Sequence, residues 1–124
     1  MDVNAVYHNE VGTVYAAGLA VGGAVQNCFV TGNVNAEYDY YTYSGCIQVF
    51  SIGEDPVNCY TYEGQIVNSL TGKSLIADGL ITADELNTAD FYVNQLGWSA
   101  EIWDLEVLSF SDGKFVDDKH PRLK

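Results

Sequence analysis

The chain has 124 residues, 48% of them hydrophobic, and its 17 acidic and five basic residues give a formal net charge of −12 at pH 7. Such an acidic surface repels phosphate backbones and anionic lipid headgroups, so we expect no nucleic-acid partner. No apolar run approaches the roughly 18 residues of a spanning helix, so we also expect no membrane insertion in this segment.

An internal repeat occupies most of the first 70 residues. Each copy has a glycine followed by small apolar residues, then a turn, and then an Asn-Cys-aromatic step, at 27–29 and again at 58–60. We place the repeats at about residues 14–38 and 41–70. Such self-similarity indicates one supersecondary unit that is copied and stacked.

The apolar residues of each copy come in short bursts rich in Val, Ile, Tyr and Phe, which is typical of strands. We predict strands at 14–21, 25–30, 47–52, 57–62 and 65–70. The pairs Gly32-Asn33 and Glu63-Gly64 are predicted to turn the chain sharply through positive φ angles. The pattern predicts a mainly β fold in which residues 1–70 form a short right-handed β-solenoid of parallel, β-helix-like rungs.

Two repeats are fewer than the three rungs that a stable solenoid normally needs. We therefore expect either a divergent first rung within residues 3–14 or an N-terminal portion that precedes this chain. An exposed first rung would pair with another copy, so the sequence predicts an end-to-end homodimer.

Asn27-Cys28 and Asn58-Cys59 are predicted to occupy matching corners of neighbouring rungs, about 4.8 Å apart. Cys28 and Cys59 would then form an inward-facing structural ladder, with a disulfide or a reactive thiol as the alternatives. Asn27 and Asn58 would form an amide ladder, or serve only as turn residues. Three cysteines without C-x-x-C spacing and two histidines near the chain ends predict neither a metal site nor a cofactor.

The segment 37–43 reads Glu-Tyr-Asp-Tyr-Tyr-Thr-Tyr. One interpretation is that Tyr38, Tyr40 and Tyr43 bind a sugar or peptide ligand, because tyrosine presents a flat apolar face with a hydroxyl tip. The alternative is a long loop between rungs whose tyrosines cover the outside of the solenoid.

The repeat stops after Leu70, and residues 71–124 are predicted to form a C-terminal cap. A capping box at 82–85 predicts a helix start. A second short helix is predicted to begin at Thr88 or Asp90 and to end at Gly97.

Large apolar side chains follow these helices. Trp98 and Trp103 are predicted to close the end of the stack by core packing, with ligand stacking as the alternative. Asp112-Gly113 predicts a hairpin turn between strands at 107–110 and 114–116.

The matching segments 18–22 with 27–32, and 45–47 with 58–60, resemble the GLUG-motif repeats of bacterial surface proteins. A tail with Phe91, the run 96–105, Asp112-Gly113-Lys114 and Pro121-Arg122-Leu123 is similar to the segment that ends such arrays. The resemblance implies the C-terminal end of an exported, adhesin-like β-solenoid, located outside the cell or at its surface. It also implies host or matrix glycans or proteins as partners, and a signal peptide upstream of this chain.

No Ser-His-Asp constellation can be assembled with confidence, and the motifs of phosphate-binding loops and zinc proteases do not occur. We therefore expect a non-catalytic extracellular structural or adhesion module. Its one predicted ligand surface is the tyrosine-rich segment. One alternative is a fragment of a β-helix enzyme acting on polysaccharide, for which the chain offers few basic residues. The other is a pure spacer without a ligand.

Overall fold

The computed structural model of the chain describes residues 2–6, 13–38, 41–50 and 55–124. The protein is mainly β, and its first nine strands pair in parallel. These strands are β1 (Val3–Val6), β2 (Thr13–Ala17), β3 (Phe29–Val30), β4 (Val34–Glu37), β5 (Tyr41–Gly45), β6 (Tyr60–Tyr62), β7 (Val67–Asn68), β8 (Gly72–Ser74) and β9 (Gly79–Ile81).

The nine strands form three sheets of three strands each, in the orders β1-β4-β7, β2-β5-β8 and β3-β6-β9. Each sheet therefore takes every third strand of the chain. We call β1 to β3 the first pass, β4 to β6 the second pass and β7 to β9 the third pass.

The side chains of these strands alternate between the inside and the outside of the three sheets. In β2, Val14 and Ala16 are buried while Thr13 and Tyr15 are exposed. Buried side chains from all three sheets contribute to one apolar cluster, which includes Val34 and Cys59. Ile81 of β9 belongs instead to a second cluster with the C-terminal segment.

The strand predicted at 47–52 is wrong over its described part. Residues 46–50 are bends and a bridge, and the strand lies earlier, at Tyr41–Gly45. The chain turns tightly after Gly45, where an added Cβ would lie 2.0 Å from the Gln48 carbonyl oxygen. The turn buries Ile47 completely, so its apolar character reflects core packing in a corner.

The predicted strands 25–30 and 57–62 are shorter in the structure because positive φ angles interrupt them. These angles fall at Asn27 (55°) and Asn58 (52°), and not at the described pairs 32–33 and 63–64 where we expected them. At Gly64, a Cβ would lie 2.6 Å from the Tyr62 ring, so a larger residue there would require that ring to move.

Parallel strands continue beyond the expected boundary at residue 70. The strands β8 and β9 pair with β5 and β6, which extends the three sheets to Ile81. At the other end, β1 pairs with β4 from Val3↔Val34 to Val6↔Glu37. This strand lies within residues 3–14, where a divergent first rung was one of our two expectations.

Two short helices follow β9. The helix α1 (Ala83–Leu86) has the capping box predicted at Thr82, with Glu85 N–H donating to Thr82 Oγ1 and Thr82 N–H donating to the Glu85 carboxylate. A π-helix spans Phe91–Gln95, and Gly97 follows it with a φ of 74°. Among the described residues, no helix is both long enough and apolar enough to cross a membrane.

Four short antiparallel strands complete the C-terminal segment. They are β10 (Trp103–Asp104), β11 (Phe110–Ser111), β12 (Lys114–Phe115) and β13 (Arg122–Leu123), paired as β10-β13 and β11-β12. The β11-β12 hairpin turns at Asp112-Gly113, whose φ angles of 52° and 80° suit this tight turn.

The C-terminal segment packs along the outer face of the β3-β6-β9 sheet, whereas we expected it over the end of the stack. Phe91 contacts Phe29 and Tyr60 with ring centroids 6.0 and 5.6 Å apart, and Phe110 lies 4.8 Å from Tyr62. The outward positions of this sheet are aromatic, so the sheet has an apolar outer face that must be covered.

Candidate functional site: an aromatic strip on the second sheet

The three tyrosines proposed as a ligand surface do not share one environment. Tyr38 is 9% exposed, so it belongs to the core. Tyr40 lies outside the described residues. Tyr43 is half-buried on the outer face of β5.

Tyr43 belongs instead to an aromatic strip with Tyr15 and Phe50 on the outside of the second sheet. The Tyr15 and Tyr43 rings are stacked, with centroids 5.7 Å apart and planes at 19°. The Phe50 ring meets Tyr15 edge-on at 5.3 Å and lies 6.3 Å from Tyr43. Tyr15 and Phe50 are both exposed, so part of each ring faces solvent.

The parallel register builds the aromatic strip. Tyr15 pairs with Tyr43, and Tyr43 pairs with Gly72 in the next strand. Adjacent strands lie about 4.8 Å apart, which brings in-register rings to stacking distance. Gly72 leaves room for the Tyr43 ring, since a Cβ at residue 72 would lie 3.2 Å from that ring.

The aromatic strip offers flat apolar faces edged by phenolic hydroxyls. Pyranose rings present a face of C–H groups between their hydroxyls, so they suit this combination of stacking and hydrogen bonding. Tyr41 is exposed two residues before Tyr43, on the same face of β5. The strip can therefore bind a ligand by stacking and hydrogen bonding.

The predicted asparagine pair lies at one corner of the first and second passes. Asn58 Nδ2 donates to Asn27 Oδ1 at 2.9 Å. A second pair was missed from the sequence: Asn35 Nδ2 donates to Asn4 Oδ1 at 2.7 Å. The repeated tripeptide Val-Asn-Ala at 3–5 and 34–36 is the signal that could have indicated it.

Cys28 and Cys59 occupy neighbouring corner positions, next to the paired residues Phe29 and Tyr60. Cys28, Cys46 and Cys59 are free thiols. Cys59 is fully buried, and its Sγ donates to the Val57 carbonyl at 3.3 Å. Burial raises the pKa of the Cys46 and Cys59 thiols, so both stay protonated near neutral pH.

The two tryptophans stack on each other within the C-terminal segment. Their ring centroids are 4.3 Å apart and their planes meet at 19°. Trp98 Nε1 donates to the Asn27 carbonyl at 3.1 Å, which ties the C-terminal segment to the corner of the first pass. This contact gives Trp98 a structural role on the side of the sheets.

No family model, no curated protein and no solved structure matches this chain. Within residues 2–6, 13–38, 41–50 and 55–124, no group of three or more His, Cys, Asp or Glu side chains is placed to hold a metal ion. We take the aromatic strip as the candidate site because its rings are stacked in register and partly exposed.

Proposed function

We propose that this chain is a short right-handed β-solenoid that serves as a non-catalytic structural and adhesion module outside the cell. The observation that carries this proposal is the strand order, in which each of three parallel sheets takes every third strand. A chain that visits three sheets in the same sequence three times winds as a coil. The right hand follows from the strong preference of parallel crossover connections for that hand.

Side-chain ladders support the solenoid. The bonds from Asn35 to Asn4 and from Asn58 to Asn27 each join one pass to the next. Polar side chains that recur at equivalent positions, in a strand or at a corner, satisfy each other, so each added coil repeats the interactions of the coil before it. The resemblance to GLUG-motif repeats supports an exported, cell-surface location.

The adhesion half of the proposal rests on the aromatic strip. Tyr15, Tyr43 and Phe50 form one partly exposed aromatic surface, and Tyr41 extends its face. We assign this strip to glycan binding, with sugar rings stacking on the tyrosine faces. A rigid coil that holds aromatic rings in register binds without reorganising the backbone, which lowers the entropic cost of binding.

A glycan array probed with the purified chain tests this assignment. We expect binding to a subset of glycans, and we expect the Tyr15→Ala/Tyr43→Ala double variant to weaken it at least about tenfold, or about 1.4 kcal/mol. The matched control is Val107→Ala, which removes an exposed apolar side chain of the C-terminal segment. Its binding should match that of the original chain.

Two outcomes contradict the assignment. If the double variant keeps full binding, the strip is not the site. If the original chain binds no glycan at all, the adhesion role is wrong and the chain acts as a spacer.

A further inference from the structure

The two ends of the stacked sheets differ in how well their inward side chains are covered. At the first-pass end, Val14, Ala16 and Val30 are only 7%, 2% and 7% exposed. At the third-pass end, Leu75 and Leu80 are 66% and 70% exposed. Inward apolar side chains are therefore exposed at the third-pass end, which we call the open end, whereas the sequence predicts pairing with another copy at the first rung.

The register shows why these side chains are exposed. Leu80 pairs with Thr61, which is 3% exposed, and Lys73 pairs with Ser44, which is fully buried. Paired residues in parallel strands point to the same side of a sheet. Leu80 and Lys73 thus occupy inward positions, and among the residues that the structure describes no further strand pairs with β8 or β9 to cover them.

These residues line one shallow cavity of about 280 Å³ at the open end. We call five of its lining residues the tail face: Glu63, Val67, Lys73, Leu75 and Leu80. Large exposed apolar side chains beside unpaired strand edges are typical of a surface that associates with another chain.

The charge of the tail face indicates which partner it fits. Lys73 is the only Lys or Arg residue before Lys114, in a chain with a net charge of −12. Most of the acidic surface repels a second copy, but the tail face carries Lys73 together with Glu63. A two-fold axis through this face brings Lys73 of each copy towards Glu63 of the other, which makes the face complementary to itself.

We propose that two copies of this chain associate tail face to tail face as a closed, two-fold symmetric dimer. The contact buries Leu75 and Leu80 and pairs Lys73 with Glu63 across the interface. A head-to-tail chain of copies is disfavoured, since Val14, Ala16 and Val30 at the first-pass end are already buried and offer no matching apolar surface. The inference rests on the stacked arrangement proposed above but requires no glycan.

Light scattering coupled to size exclusion, between about 5 and 100 μM at 150 mM NaCl, tests the dimer. We expect twice the chain mass of 13.6 kDa for the original chain. Leu80→Glu should raise the dissociation constant at least tenfold. Leu123→Glu is the matched control, because Leu123 is similarly exposed in β13 and the charge change is the same.

A charge exchange tests the orientation of the dimer. Lys73→Glu should weaken the dimer, and the double variant Lys73→Glu/Glu63→Lys should restore it. A monomeric original chain overturns the proposal, as does an undiminished dimer for Leu80→Glu or a failure of the exchange to restore association. Circular dichroism confirms that each variant is folded, and glycan binding is scored separately, so either proposal can fail alone.

Discussion

Asn58 shows how single residues hold one pass on the next. Its backbone has a φ of 52°, a left-handed conformation in which asparagine is tolerated better than most residues. Its Nδ2 donates to Asn27 Oδ1, and its Oδ1 accepts a hydrogen bond from the Tyr60 hydroxyl at 3.2 Å. The corner therefore needs both the conformation and the amide.

Replacing Asn58 separates these two contributions. Asn58→Ala should lower the free energy of unfolding by about 2 kcal/mol, because it loses the amide bonds and places alanine in the left-handed region. Asn58→Gly should lower it by only about 1 kcal/mol, since glycine adopts this φ freely. Urea unfolding monitored by tryptophan fluorescence measures both values. Equal losses would contradict a role for the backbone conformation.

The thiols of Cys28, Cys46 and Cys59 should differ in their reactivity towards alkylating reagents. Burial raises the pKa of Cys46 and Cys59, so at pH 8 their thiolate fractions fall below that of an ordinary cysteine. Cys28 is only half-buried. Brief iodoacetamide treatment of the native chain should therefore modify Cys28 first, as read by peptide mass spectrometry. Labelling of Cys59 at the rate of Cys28 would contradict the buried corner.

At the scale of helices and strands, the predictions that agree best with the structure come from motifs of a few consecutive residues. The capping box at 82–85 and the turn at Asp112-Gly113 depend on residues close in sequence, so both could be predicted without the fold. The end of β2 at Ala17 could not be predicted in this way. The next residue, Gly18, lies against a residue distant in sequence, since a Cβ there would lie 2.3 Å from the Cys46 carbonyl oxygen.

The aromatic strip was missed for a related reason. Aligning the Asn-Cys-aromatic steps at 27–29 and 58–60 gives an offset of 31 residues, which holds for Phe29 and Tyr60 in the third sheet. Tyr15 and Tyr43 in the second sheet are 28 residues apart, because the loops between strands differ in length. A single alignment of the repeats therefore pairs residues correctly on some sheets and incorrectly on another.

The cap of α1 gives a prediction for this scale. Thr82→Ala should destabilise the protein by about 1 kcal/mol, because it leaves the Glu85 N–H without its side-chain acceptor. Thr88→Ala is the control: its exposed hydroxyl donates to the Glu85 carbonyl at the other end of the helix. Thermal unfolding should rank Thr82→Ala clearly below Thr88→Ala, and the reverse order would contradict the capping role.

At the scale of the whole molecule, the sequence could predict a mainly β fold with parallel strands but not which surface the C-terminal segment covers. Trp98, Trp103 and Phe91 predict a large apolar surface, but they do not indicate what that surface packs against. Their position follows from Phe29, Tyr60 and Tyr62, which make the outer face of the third sheet aromatic. The sequence alone does not place these three side chains on one face, because their positions depend on how the strands pair.

The parallel stacking of three passes underlies every proposal above. Val3, Val34 and Val67 occupy equivalent positions in β1, β4 and β7. At one strand spacing of about 4.8 Å, neighbours are close enough for magnetisation transfer, and the outer two lie about twice as far apart.

Methyl nuclear Overhauser spectroscopy of the valine-labelled chain measures these distances, with Val→Ala variants to assign the signals. We expect strong cross-peaks from Val34 to both Val3 and Val67, and a much weaker one or none between Val3 and Val67. A strong cross-peak between Val3 and Val67, or none from Val34 to either, would contradict the stacked arrangement.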